Sequence, residues 1–135
     1  MNSLAIFASI FIFAVTNAST AQAENWHKIG GDESGVVEVE LDTLHNYIAY
    51  KEAWWRINFH VNGGFQYNNS GEKIWYAKIH QKFNCLTSRT EIDAIGQSGP
   101  DVYHNVDVPK DKQAWSPIDP SDHASVQLFA YICGK

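Results

Sequence analysis

The sequence predicts an α+β fold: an antiparallel, curved sheet of about five or six strands with a C-terminal helix tied to one face by a disulfide. Three observations lead there. Apolar residues alternate singly through the middle of the chain, their period lengthens to that of a helix near the end, and turn signals recur at short intervals between the runs.

The strands follow in order. Residues 26–29 make a short first strand, and Val37, Val39 and Leu41 then alternate with Glu38 and Glu40. Trp55, Ile57, Phe59 and Val61 share one face, with Trp54, Arg56, Asn58 and His60 on the other. Next, Trp75, Ala77, Ile79, Phe83 and Cys85 oppose Tyr76, Lys78, His80, Lys82 and Asn84. Shorter strands fit residues 90–95 and 102–108. Gly30-Gly31-Asp32, Asn62-Gly63-Gly64 and residues 68–71, 96–101 and 109–112 punctuate them. Such tight connections favour pairing of sequence neighbours.

The period changes after Asp119. That residue is placed to cap a helix, Pro120 to occupy its first position, and Asp122 to put an acid in its first turn. Val126, Phe129, Ala130 and Cys133 recur at i, i+3, i+4 and i+7, and Gly134 supplies a stop. Cys85 on the apolar face of a strand and Cys133 on the apolar face of a helix are thus positioned to be joined.

The start of the chain sets the compartment. Residues 4–15 are almost continuously apolar, no charge precedes Glu24, and Ala21-Gln22-Ala23 is an A-x-A cleavage site. Residues 1–23 therefore read as a secretory signal peptide, although Met1-Asn2-Ser3 brings no Lys or Arg. A dozen apolar residues fall short of the roughly 20 a membrane span needs. Removing 23 of 135 residues leaves 112 (24–135), enough for one domain with its own core. With two cysteines in an exported chain, one disulfide is expected; two buried free thiols are the other reading. Closing a loop of about fifty residues contributes about 4 kcal/mol in the chain-entropy picture. No cysteine follows the signal to take a lipid anchor.

All 10 Lys and Arg and all 15 Asp and Glu lie beyond residue 23, for a net charge of −5. Nucleic-acid binders carry a basic face, so that class is disfavoured. Nor is there a basic amphipathic segment of the kind that lies on membranes.

The second half carries a family resemblance. Gln81-Lys82-Phe83-Asn84-Cys85 leads to Arg89 and a strand, then a glycine-bearing turn, then Trp115, Pro120 and a short helix ending Tyr131-Ile132-Cys133. The early segment Val37-Glu38-Val39-Glu40-Leu41-Asp42-Thr43-Leu44 fits the same layout. Residues 26–135 so arranged resemble the surface-adhesin protein E family of Gram-negative bacteria. The resemblance implies a curved sheet whose concave side is bridged to the helix by the disulfide. It also implies a non-enzymatic role in binding host extracellular-matrix and plasma proteins, and a capacity to form a homodimer. Two departures stand out. The family's adhesin is a lipoprotein, and the basic run ahead of its first cysteine is here thinned to Lys73, Lys78 and Lys82 beside Glu72.

A search for chemistry finds no catalytic constellation, and no cofactor or metal is expected. The six histidines (His27, His45, His60, His80, His104, His123) form no HxxxH or HExxH, though His60 and His80 lie on the polar faces of two strands that would bring them close if paired. There is no GxSxG elbow, and Ser121-Asp122-His123 reads as the first turn of a helix, not a triad. Glu38 and Glu40 share a strand face and are read as solvated; Gly30-Gly31 and Gly63-Gly64 are turns.

Aromatics remain: five Trp, six Tyr and four Phe after residue 23. Trp55, Trp75, Phe59 and Phe83 suit the core. Trp54 and Tyr76 point from the opposite face, beside Arg56 and Lys78. Exposed Trp and Tyr bury much area at little entropic cost, so these four residues are the expected protein-binding face. Two functions follow. One is an exported protein-binding module, in the periplasm, in the medium or held at the cell surface by a partner. The other is a periplasmic small-ligand carrier or enzyme using a groove between sheet and helix.

Overall fold

The computed structural model describes residues 24–134; the signal peptide read over residues 1–23 lies outside them. The strands are β1 (Trp26–Gly31), β2 (Val36–Glu40), β3 (His45–Asn46), β4 (Lys51–Asn58), β5 (Gln66–Tyr67), β6 (Lys73–Ile74), β7 (Tyr76–Asn84), β8 (Arg89–Ser98), β9 (Tyr103–Asp107) and β10 (Ser116–Pro117). Helix α1 (His123–Cys133) closes the chain. Among the described residues the main sheet has eight strands rather than five or six, with the path β1-β2-β4-β7-β8-β10, β3 added to β4 and β9 to β8. Strands β5 and β6 form a separate two-stranded ribbon. The excess over expectation comes from two-residue strands, too short to show alternation.

Every pairing in the main sheet is antiparallel. The register of β4 on β7 sets Trp55 opposite Ile79, Trp54 opposite His80 and Arg56 opposite Lys78. Odd-numbered residues of β2, β4 and β7 thus face one way and even-numbered residues the other. One face meets the helix: Val37, Val39, Ala53, Trp55 and Phe83 form a buried cluster with Leu128, Phe129 and Ile132. Burying each of those large helix side chains contributes about 1.5–3 kcal/mol.

Strand β8 carries a bulge. Gln81 pairs with Ile92 and His80 with Ala94, so Asp93 is an extra residue. Its effect is that Ile92 and Ile95, three apart, turn to the same face.

The helix departs from expectation in its start and in part of its face, Phe129 being buried as the spacing predicts. Asp119 accepts from the Ser121 N–H at 2.9 Å and hydroxyl at 2.7 Å, and so builds a turn ahead of the helix. The cap is Asp122, whose carboxylate takes the Ser125 N–H at 3.3 Å and hydroxyl at 2.8 Å. The buried stripe is Leu128, Phe129 and Ile132, while Val126 is 42% exposed. Gly134 ends the helix in the left-handed region at φ 70°, its N–H bonded to Ala130 O.

Cys85 and Cys133 are joined, with Cα atoms 5.5 Å apart and 48 residues of separation. Cys85 lies one residue past the end of β7, in the turn to β8, so the staple ties the helix to a sheet end rather than mid-sheet. Strand β4 stops at Asn58, which puts Phe59 beyond it and Val61 in a 3-10 turn. Trp75 lies between β6 and β7, and its ring stacks on His60 at 4.1 Å instead of entering the core.

Candidate protein-binding face

The face opposite the helix is built by the even-numbered residues of the central strands. Unbroken alternation through β4 and β7 brings Trp54, Arg56, Tyr76 and Lys78 together there. Trp26 of β1 joins them, opposite Glu40 in the register of β1 on β2.

Arg56 sits at the centre. Its guanidinium carbon is 4.0 Å from the Trp26 ring centroid and 4.2 Å from that of Tyr76, and its Nε donates to Glu38 Oε1 at 2.8 Å. The planar cation is thus held against two aromatic faces, with its charge answered by Glu38. Glu38 is therefore paired rather than solvated. Glu40 is buried and accepts the Asn25 N–H at 2.7 Å.

Lys78 differs. Its Nζ is 5.6 Å from the Trp26 ring and 6.0 Å from the Trp54 ring, and no ion pair engages it among the described residues. Two indoles thus lie within about 6 Å of this ammonium.

Trp54 and His80 rings lie 5.2 Å apart. His80 Nδ1 meets Asp93 Oδ1 at 2.5 Å, and Nε2 faces Glu52 Oε2 at 3.8 Å. The bulge puts Asp93 where it meets that ring. With one ring nitrogen on Asp93 of β8 and the other facing Glu52 of β4, His80 connects neighbouring strands. The register does not bring His60 and His80 together. Among the described residues no group of three or more His, Cys, Asp or Glu is arranged to hold a metal ion.

Two open clefts share Trp54. One, of about 500 Å³, lies between Trp54, His80 and Asp93 and the segment carrying Val108, Lys110 and Gln113. The other, of about 160 Å³, runs past Lys78 and Gly96 to Tyr103 and Asn105. The groove between sheet and helix, lined by Val37, Ile57, Phe59, Ala124 and Gln127, holds only about 110 Å³. That groove is smaller than the range of about 300–1,000 Å³ typical of small-molecule sites.

Comparison with known proteins places the fold. The crystal structure (form II) of Haemophilus influenzae protein E superposes with a TM-score of 0.55 and 9% sequence identity, covering 81% of this chain and 87% of that one. The chain has the protein E fold. No family model and no curated protein matches the sequence, so the likeness to protein E rests on backbone architecture. Of the five clustered residues, alternation in the sequence assigns Trp54, Arg56, Tyr76 and Lys78 to one face and leaves out Trp26. The alternation of Trp26 with His27 was the available signal, but a bulge at Ile29 in β1 obscures the register. The disulfide fits an exported protein, and among the described residues no helix is long and apolar enough to cross a membrane.

Proposed function

We propose that this chain is an exported, non-enzymatic protein-binding domain of a Gram-negative cell envelope. It acts as an adhesin-like binder of host extracellular-matrix or plasma proteins through Trp26, Trp54, Arg56, Tyr76 and Lys78. One observation carries the reading: Lys78 lies near two indoles with no carboxylate partner among the described residues, beside an Arg56 already paired with Glu38. Half-buried Trp and Tyr side chains packed around an arginine are residue types enriched in binding hot spots. The likeness to protein E, and the resemblance of the sequence to its adhesin family, support the adhesin-like role.

The experiment is binding of the purified protein to immobilised matrix and plasma proteins. Trp54→Ala is expected to weaken binding by about thirtyfold, the loss of one hot spot. Lys78→Glu should weaken it with no change in the unfolding midpoint. Binding that survives both variants would move the interface elsewhere. Protease treatment of intact cells adds the location: a chain protected until the outer envelope is opened would exclude host adhesion.

A further inference from the structure

We infer that the end of the sheet formed by the β3–β4 and β7–β8 turns is a contact site for a phospholipid bilayer surface. The turn of residues 47–50 reads Tyr-Ile-Ala-Tyr, with none of the Gly, Asn, Asp, Ser or Pro that reverse turns ordinarily use. Ile48 at its tip is fully exposed. The register of Lys51 with Phe83 lays this turn beside the next one, residues 85–88, where Leu86 is 90% exposed. One exposed aliphatic side chain is ordinary; two on adjacent tips form a protruding pair that no described residue covers.

What surrounds the tips matches a lipid interface. Behind them the rings of Tyr47 and Tyr50 are 4.9 Å apart, and Tyr50 and Trp115 6.2 Å apart, a connected row of the residue types that sit at headgroup level. Cations stand behind that row. Lys82 Nζ is 5.4 Å from the Tyr50 ring, Arg89 donates to Trp115 O at 3.4 Å, and Lys51 donates to Ile132 O at 3.1 Å. Two carboxylates lie among them: Glu52, which accepts from the Tyr47 hydroxyl at 3.0 Å, and Glu91, opposite Lys82. The excess of one positive charge favours anionic headgroups modestly, so apolar insertion carries the attraction.

Part of the turn backbone is already bonded. The Tyr47 N–H donates to Tyr50 O at 2.8 Å, and the N–H groups of Leu86 and Thr87 both donate to Asn84 Oδ1 at 3.1 Å. Those three donors are satisfied before the turns meet a water-poor layer, which lowers the cost of a shallow insertion.

The test is co-sedimentation of the purified protein with vesicles of phosphatidylethanolamine and phosphatidylglycerol. Mass spectrometry first confirms that residues 1–23 are absent, because that apolar run would itself partition. Ile48→Asp is expected to lower the partition coefficient about tenfold, and Ile48→Asp with Leu86→Asp to abolish sedimentation. Ile95→Asp, at an exposed apolar site elsewhere on the sheet, should leave it unchanged. The inference is overturned if the wild-type protein stays in the supernatant, if the double variant sediments like wild type, or if Ile95→Asp loses as much as Ile48→Asp.

Discussion

Trp55 donates its indole N–H to the Gln81 side-chain oxygen at 2.8 Å, and both residues are buried against the helix. This is a polar bond inside an otherwise apolar cluster, so the two residues depend on each other. Replacing Gln81 by Leu strands the indole donor away from water. Gln81→Leu is expected to cost about 1–3 kcal/mol in urea unfolding, the penalty of an unsatisfied buried group. Adding Trp55→Phe, which removes the donor, should recover part of that loss; two strictly additive effects would show that the bond carries no coupling.

The helix face offers a second check. Leu128 is 0% exposed while Val126, two residues earlier, is 42% exposed. Leu128→Ala should destabilise by about 2–5 kcal/mol through lost burial and the cavity left behind. Val126→Ala should stay within about 0.5 kcal/mol. Equal losses would mean the helix docks on the face its sequence spacing first implied.

Two exposed carboxylates predict a pH effect. The Ser34 hydroxyl and then its N–H, at 2.6 Å and 2.8 Å, hold Asp32 below the usual carboxylate range. The Ser121 hydroxyl and N–H do the same for Asp119. A depressed folded-state value means each carboxylate contributes stability that is complete above the unfolded value of about 3.9. That contribution is lost as pH falls through the lower folded value. In an NMR titration both should show midpoints below that of an unperturbed aspartate. Ser34→Ala should raise the Asp32 midpoint and leave that of Asp119 in place; an unmoved Asp32 would refute the assigned cause.

The candidate face was legible because alternation through β4 and β7 is unbroken, so parity alone assigns Trp54, Arg56, Tyr76 and Lys78 to one side. Cys85 and Cys133 were legible for a different reason: an even cysteine count in a chain whose sequence reads as exported leaves little else for them to do. The helix register was not legible. Val126, Ala130, Leu128 and Ile132 are all apolar, so two faces compete in sequence, and only packing against Val39 and Phe83 decides between them. Strands β3, β5, β6 and β10 were invisible because two residues have no period. The pairing of His80 with Asp93 was hidden too, since it depends on a residue that leaves the ladder.

That residue also bears on how the chain tolerates changes in length. Asp93 pairs with nothing on β7, so a deletion there leaves Ile92 opposite Gln81 and Ala94 opposite His80, and both halves of β8 keep their faces. A deletion at Ala77 or Ile79, in the regular part of β7, would instead exchange the helix-packed and aromatic sides of everything beyond it. One strand can therefore change length by a residue at one point without rewriting either face, and its central neighbour has no such point.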